Sequence, residues 1–282
     1  MKFSGRSLFQ YWNKPERAAY LFITPSLLIL LLFTAVPLIS TLWISLLKLD
    51  IFLQDIRFLG LDNYARLWHD DRFWNALGNT VYFTLVEMPL QLIAALFTAV
   101  VVSKNTLTRK FLRSVFFLPS ICSMTAIGIV WSFLLDPQMG MYPYALVKLG
   151  SPQLQFLRDP SLAMPSVILI TLWRSFGYTM IILVSGIQAI PESYYEAAQI
   201  DGAGAFSRFV RITPPMLIPA LSFCVITTTI SALQVFDQIF VTTQGGPMNK
   251  TETVVTYIYD VGFRLAPLTW ATPPRCRSCC SA

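Results

Sequence analysis

Long apolar runs restrict what this chain can fold into more than any other feature of its sequence. A run of about 20 apolar residues crosses a hydrocarbon core about 30 Å thick. Its backbone must satisfy its own hydrogen bonds there, which favours an α-helix. The sequence therefore predicts an all-α integral membrane protein with five spans, at residues 18–47, 76–103, 111–135, 162–190 and 214–236.

The composition agrees with this prediction and excludes an ordinary soluble domain. Hydrophobic residues make up 55% of the chain and charged residues 13%, whereas soluble domains are about 25% charged. The net charge of +6 comes from short clusters between the apolar runs. Such clusters are typical of membrane topology and not of a nucleic-acid surface, so we expect a bilayer and no nucleic acid among the partners.

The positions of the basic residues predict the orientation. Lys and Arg concentrate in the tail at 1–17 and in the link at 104–113. Basic loops stay in the cytoplasm, so the N-terminus and this link are predicted to be cytoplasmic. The segments 48–74 and 136–160 are then external, the second of them loop-like. The first apolar run is too long for a signal-peptide core and is expected to remain as a span.

The predicted cytoplasmic segment 191–215 has the features of a short helix with a defined C-terminal end. Residues 196–201 favour a helix, with acidic side chains that suit its dipole. Gly202 is expected to end this helix, and Pro214 and Pro215 to begin the next span. The sequence therefore predicts a rigid knob pointing into the cytoplasm.

The same segment resembles the EAA loop of binding-protein-dependent ABC transporter permeases. The pattern is Glu196-Ala197-Ala198, then Gly202, then Ile212 and Pro215; Pro214 stands where that family has leucine. Residues 131–146 and the stretch 243–253, which includes Gly-Gly-Pro, resemble the sugar branch, which contains maltose-type and glycerol-3-phosphate-type importers. Members of this family are expected to have six spans and the ABC importer transmembrane-domain fold.

The resemblance implies a function and a set of partners. The chain would be half of the pathway for a sugar or sugar-like solute across the bacterial inner membrane. It would act with a second homologous permease, an ATP-binding-cassette ATPase dimer and an extracytoplasmic solute-binding protein. ATP and Mg would bind the ATPase, and this chain would hold no cofactor and catalyse no reaction. The residues that would couple the permease to the ATPase are Glu196, Ala197, Ala198, Asp201, Gly202, Ile212 and Pro215.

No ATP or metal site is predicted in the chain itself. The stretch 245–251 has Asn249 where a phosphate-binding loop needs glycine. His69 is the only histidine, and one histidine does not make a metal site.

Polar residues inside the apolar runs are candidates for a solute pathway. A charge near the middle of a span should face the bundle or a watery cavity, and Arg174 is such a charge. Glu87 is its candidate partner, although a structural ion pair would explain both residues as well. Thr227, Ser231 and Gln234 could share one helical face leading to Asp237. Hydrogen bonding between helices explains that face equally well.

The C-terminal segment 265–282 departs from the family. It lacks an apolar run and carries Cys276, Cys279 and Cys280. Back-translation of 269–281 in a shifted frame can spell the beginning of an apolar span, so we interpret the segment as a frameshifted tail that replaces the sixth span. A cysteine metal or redox site is the alternative. For the whole chain, the alternatives are an ion-gradient-driven secondary transporter and a truncated, non-transporting remnant.

Overall fold

The computed structural model describes residues 15–48, 57–150 and 152–265, most of which are helical. They form two compact units that divide between Asp70 and Asp71. Nearly all of the N-terminal tail at 1–17 and of the predicted frameshifted tail at 265–282, with its three cysteines, lies outside the described residues.

The first unit contains one helix that is long and apolar enough to cross a membrane, followed by a small motif of two strands and a short helix. Helix α1, a π-helical turn and helix α2 follow without a break, and residues Phe22–Ile44 are long and apolar enough to span a membrane. A pair of two-residue antiparallel strands and a short helix follow. The side-chain amide of Asn63 donates to the carbonyls of Ser45 and Leu47 and so holds this motif together. The elements are α1 Pro15–Leu30, the turn Leu31–Ala35, α2 Val36–Ile44, β1 Leu47–Lys48, β2 Arg57–Phe58 and α3 Asp62–Trp68.

The second unit is a bundle of helices with short connections. Two of its helices, α4 and α8, are long enough to cross a membrane alone. The elements are α4 Asp71–Val102, α5 Leu107–Ile121, α6 Met124–Leu134, α7 Met141–Lys148, α8 Ala163–Gln188, α9 Glu192–Ile200, α10 Ala205–Met216, α11 Ile218–Leu233, α12 Asp237–Thr242, α13 Val254–Tyr259 and a π-helical turn Asp260–Leu265.

Small residues allow α4 and α8 to pack closely. Ala95 and Ala99 of α4 are fully buried in a cluster with Met180 and Leu183 of α8. In a bilayer, helices associate through close packing because lipid is as apolar as their side chains, and alanine lets the backbones approach. This pair forms the centre of the second unit.

Helices α5 and α8 cross even more closely, at Gly177. A Cβ atom built at this position would lie 2.1 Å from the carbonyl oxygen of Phe116. The two backbones are therefore in contact, and no larger residue fits without a shift of one helix.

The predicted span 111–135 is a bent pair of helices. Helices α5 and α6 meet at an angle of 94°. Pro119 lacks a backbone donor, and Cys122 and Ser123 then take extended conformations that end one helix before the next begins. Pro119 indicates a kink in this predicted span, and the structure has a sharp break just after it.

The predicted start of the last span, at Pro214 and Pro215, is also corrected. Helix α10 begins at Ala205 and runs through both prolines, and a bend of 67° follows before α11. The two prolines cannot donate to carbonyls one turn earlier, so the helix weakens there and turns at Leu217. If each bent pair is one span, the described residues contain five candidate spans, which agrees with the predicted number.

The predicted external loop 136–160 contains helix α7, so it is more ordered than its prolines and glycine indicate. The turn before α7 is organised by Asp136. Backbone N–H groups of Gln138 and Met139 donate to its carboxylate, and these hydrogen bonds hold the pKa of Asp136 below its usual value.

The crossing at Gly177 yields a stability prediction. Replacing Gly177 with Ala should destabilise the protein by about 1–3 kcal/mol, because the new methyl group collides with backbone and not with a movable side chain. The measurement is the thermal unfolding midpoint of the purified protein in detergent.

Gly78 provides the matched control. It is an exposed glycine of helix α4, and a Cβ there meets nothing within 4 Å. Gly78→Ala should be neutral or stabilising by about 0.4–1 kcal/mol. Equal effects of the two substitutions would contradict the close crossing.

Candidate functional site

A polar cavity lies within the helical bundle of the second unit. Its volume is about 310 Å³, and it is bounded by α4, α5, α8 and α11, with the first turn of α12. Its wall contains both polar and aromatic side chains. The lining residues are Phe83, Glu87, Gln91, Phe117, Ser120, Thr171, Arg174, Ser175, Tyr178, Thr179, Thr227, Thr228, Ser231, Ala232 and Gln238.

The structure brings Glu87 and Arg174 to this one cavity but does not pair them. The ion pairs found in the described part of the chain do not include one between these two residues. Glu87 is only 2% exposed. The Nε of Arg174 donates a long hydrogen bond of 3.5 Å to the carbonyl of Cys122 at the α5–α6 bend. The predicted Glu87–Arg174 partnership is therefore not formed in this conformation.

Gln91 is a cavity residue that the sequence interpretation missed. Its side-chain nitrogen donates to Thr179 Oγ1 at 2.8 Å and to the carbonyl of Ser175 at 3.4 Å. It lies one helical turn after Glu87 and thus on the same face of α4. That spacing was the signal that could have identified it.

The predicted polar face of α11 lines the cavity only in part. Thr227 and Ser231 belong to the wall, whereas Gln234 and Asp237 do not. Helix α11 ends at Leu233, so Gln234 no longer follows the helical face. Gln238, in the first turn of α12, takes the place that Asp237 was expected to have.

A second missed feature is an ion cluster at the start of α4. Arg72 donates through Nε to Glu252 at 2.9 Å and through Nη2 to the other carboxylate oxygen at 2.5 Å. The same Nη2 donates to Asp260 at 2.6 Å. Glu252 is only 2% exposed, and a bidentate guanidinium–carboxylate pair is the strongest arrangement of such groups. We call Arg72, Glu252 and Asp260 the Arg72 clamp.

Asparagines on α4 hold the same loop beside the clamp. Asn75 and Asn79 both donate to the carbonyl of Asn249, and Asn79 also donates to that of Glu252. The segment 243–252, which contains the Gly-Gly-Pro stretch, is thereby tied to the first turns of α4.

The predicted short helix of the 191–215 segment is α9, and glycine ends it. Gly202 has a φ of +78°, a conformation that favours glycine. Its N–H donates to the carbonyl of Gln199, and the N–H of Ala203 donates to that of Ala198. This pair of bonds is the Schellman arrangement, which satisfies the last carbonyls of a helix. Helices α9 and α10 together form the knob.

The proposed coupling residues lie mostly on the surface of the knob. Glu196, Ala197, Asp201, Gly202 and Pro215 are exposed, and Ala198 and Ile212 are half-buried. Large apolar side chains are exposed beside them: Tyr194 at 52%, Ile200 at 87% and Phe206 at 79%.

Two side-chain hydrogen bonds join the parts of the knob to each other. Tyr195 of α9 and Thr213 of α10 are joined through their hydroxyl groups at 3.0 Å, and Arg208 donates to Gln199 at 2.9 Å. A second cavity, of about 740 Å³, lies between the knob and the corner at 103–105.

The corner at 103–105 is fixed by side chains from two other helices. Arg113 of α5 donates to the carbonyls of Val102, Ser103 and Lys104, which caps the end of α4. Gln188, the last residue of α8, also donates to the carbonyl of Ser103. Among the described residues, no group of three or more His, Cys, Asp or Glu side chains could hold a metal ion.

This combination of apolar helices around a polar cavity is that of a membrane transport protein. The model of the family described as "Binding-protein-dependent transport system inner membrane component" matches residues 91–272. The chain belongs to this family of inner-membrane permeases, which confirms the resemblance seen in its sequence.

Individual relatives agree with the sugar branch. The lactose transport system permease LacF of Rhizobium radiobacter is 37% identical over 269 residues, covering 94% of this chain and 88% of that protein. The sn-glycerol-3-phosphate permease UgpA of Escherichia coli is 31% identical over 245 residues, covering 86% and 83%. Both are named as transport permeases and not as enzymes.

The fold is also that of a solved transporter chain. A chain of the bacterial alginate ABC transporter, crystallised with a periplasmic protein bound to an alginate pentasaccharide, superposes with a TM-score of 0.78. The sequence identity is 24%, and the match covers 90% of this chain and 87% of that one. This likeness confirms the predicted fold class.

The Arg72 clamp yields a second stability prediction. Arg72→Gln should leave the buried carboxylate of Glu252 without its cation, which costs about 3–5 kcal/mol for a fully buried pair. The side chain of Arg72 is 28% exposed, so we expect the lower end of this range. The measurement is again the unfolding midpoint in detergent.

Arg264→Gln is the matched control for the clamp. Arg264 pairs with the same Asp260, but its side chain is 52% exposed, and exposed pairs contribute only about 0.2–1 kcal/mol. A loss of stability as large as that of Arg72→Gln would show that burial of the clamp does not matter.

Proposed function

We propose that this chain forms half of the translocation pathway of an ATP-driven sugar importer and couples to a separate ATPase through the knob. The observation that carries the proposal is the position of the knob in the chain. It connects α8 to α11, and both of these helices line the polar cavity. A force applied to the knob would therefore act on two walls of the cavity.

The exposed surface of the knob supports docking to a partner. Isolated exposed apolar residues are ordinary, but Tyr194, Ile200 and Phe206 lie close together in the chain around a rigidly capped helix. The acidic groups Glu196 and Asp201 lie between them. Family membership supports a partner of this kind: under the proposal it is the ATP-binding subunit of the transporter, which would hold ATP and Mg.

The wall of the cavity supports passage of a hydroxyl-rich solute. Hydroxyl groups of Thr227 and Ser231, the amide of Gln238 and the ring of Tyr178 combine hydrogen bonding with aromatic surface. An open polar cavity is incompatible with surrounding lipid, so a second homologous permease would complete it. A solute-binding protein on the outer side would deliver the solute.

The orientation that fits this mechanism has the N-terminus and the knob in the cytoplasm. The basic link at 104–113 then lies on the cytoplasmic side, in agreement with the positive-inside rule. The Arg72 clamp and the segment 243–252 lie at the opposite, external end of α4.

The proposal is tested by measuring whether ATP or an ion gradient drives solute uptake. Uptake of radiolabelled lactose or maltose by proteoliposomes that contain the assembled transporter should require internal ATP. It should continue when an ionophore collapses the ion gradients and the membrane potential. Uptake that stops with the ionophore and ignores ATP would instead identify a secondary transporter.

The knob yields a coupling prediction. Glu196→Lys reverses an exposed charge on the proposed docking surface, and Gly202→Asp places a strained side chain at the turn that ends α9. Both should abolish about nine-tenths or more of solute-stimulated ATPase activity, a loss equivalent to about 1.4 kcal/mol of coupling. Insertion of the protein into the membrane should be unchanged.

Lys110→Glu is the control for charge reversal. Lys110 is exposed, and it lies on α5 outside the knob. This variant should retain coupled ATPase activity and uptake. Normal solute-stimulated ATPase activity in both knob variants would exclude the coupling role.

A further inference from the structure

A groove lies on the surface of α6 and shares no lining residue with the polar cavity. Its volume is about 410 Å³, and its apolar wall is formed by Ile129, Phe133, Met139 and Val241. The first three of these side chains are exposed. The groove therefore leads from the apolar surface of α6 to the turn that precedes α7. We call it the α6 groove.

The α6 groove ends at polar groups in that turn. Asp136 and the amide side chain of Gln138 line it beside the apolar residues. Asp136 accepts through Oδ1 from the two backbone N–H groups described above, and through Oδ2 from Arg158 at 3.2 Å. The backbone hydrogen bonds favour the ionised form of this carboxyl group. A carboxylate has about four acceptor positions, so Oδ2 has room for one more donor.

Arg158 places a positive charge next to this carboxylate. Its guanidinium donates to Asp136 through Nη2, and its side chain is 62% exposed. A guanidinium group carries five N–H donors, so donors remain for an anionic group. An ion pair as exposed as this one contributes little to stability, and sharing it with a ligand costs correspondingly little. One acceptor and one donor of opposite charge therefore lie side by side at the end of the groove.

Helix α7, which follows this turn, has the features of a segment at the level of lipid headgroups. Tyr142 stacks on Trp131, with ring centres 5.7 Å apart, and the ammonium of Lys148 lies 4.8 Å from the ring centre of Tyr144. Both tyrosines are exposed. Amphipathic aromatic rings concentrate at membrane–water interfaces, and lysine side chains extend toward the headgroups there. An occupant of the α6 groove would thus have its polar end among headgroups and its apolar end in the bilayer.

We propose that the α6 groove binds a phospholipid with a primary-amine headgroup, such as phosphatidylethanolamine. The ammonium group donates to Oδ2 of Asp136, and the phosphate accepts from Arg158. An acyl chain lies along Ile129 and Phe133. The two charges of the headgroup are opposite to those of the two side chains they meet, which favours this occupant over a purely apolar surface. The site requires only that the chain is embedded in a membrane, and it does not depend on the proposed coupling to an ATPase.

Lipid retention by the assembled transporter tests the site. The transporter is reconstituted in vesicles of phosphatidylethanolamine, phosphatidylcholine and phosphatidylglycerol, in equal amounts and with identical acyl chains. It is then extracted in mild detergent, and the bound lipids are measured by mass spectrometry. Phosphatidylcholine keeps the positive charge but has no N–H donor, and phosphatidylglycerol lacks the positive charge. We expect phosphatidylethanolamine to be retained about tenfold over each of them, the ratio that one charge-assisted hydrogen bond supplies.

Asp136→Asn tests the polar end of the groove. It removes the charge but keeps an oxygen for the backbone N–H groups of the turn, so the preference for phosphatidylethanolamine should disappear. Asp159→Asn is the matched control. Asp159 also accepts from a backbone N–H two residues later, that of Ser161, and it does not line the groove. This variant should keep the preference unchanged.

Ile129→Trp tests the apolar end by filling the groove. It should lower the retained phosphatidylethanolamine to about one-tenth, because the acyl chain loses its place. Val130→Trp is the matched control, since Val130 is the next residue of α6 but does not line the groove. Both residues are 56% exposed, so neither substitution disturbs a buried core. Val130→Trp should retain the lipid.

Equal retention of phosphatidylethanolamine and phosphatidylcholine by the unaltered transporter would overturn the proposal. Retention of phosphatidylethanolamine that survives both Asp136→Asn and Ile129→Trp would also overturn it, because the lipid would then belong to another surface or another subunit. A second permease or a solute-binding protein seated in the groove would give one of these two results. The proposed transport function is unaffected by either result, since it is measured by ATP-dependent uptake.

Discussion

The close pairing of α4 with α8 is the interaction on which the rest of the second unit depends. Alanines in α4 let the two backbones approach, and the Gln91–Thr179 hydrogen bond fixes their relative rotation. Glu87 and Arg174 reach one cavity only in this arrangement, since each belongs to a different helix of the pair. At about 1.5 Å per residue, α4 is about 48 Å long, so the same helix also reaches the Arg72 clamp at one end and the Arg113 cap at the other.

Much of this architecture could be predicted because run length and hydropathy are local properties. The runs at 76–103 and 162–190 correspond to α4 and α8 within a few residues. The bends could not be predicted in the same way. Pro119 indicates that a kink is allowed, but the turn of 94° also requires extended conformations at Cys122 and Ser123. The types of these two residues do not require those conformations.

The same distinction between local sequence properties and long-range packing decides which residues of the candidate site could be predicted. Glu87 and Arg174 were identifiable because a charge within an apolar run is costly wherever it faces. Whether they form an ion pair depends on the rotation of α4 and α8 about their own axes. No local sequence pattern predicts that rotation. The Arg72 clamp was missed because its partners are 180 residues apart in the chain. Gln234 was misplaced because α11 ends one residue before it, and helical spacing carries no information beyond the end of a helix.

Under the proposed coupling, the junction between the knob and the cavity must transmit movement instead of absorbing it. Leu217, at the bend between α10 and α11, is 1% exposed. A Cβ atom built at Gly186 of α8 would lie 2.8 Å from its side chain, so α8 and the bend are in tight contact. Close-packed interiors shift between discrete arrangements and do not deform continuously. A displacement of α10 would therefore move α8 and α11 together, and with them the opposing walls that carry Arg174 and Ser231.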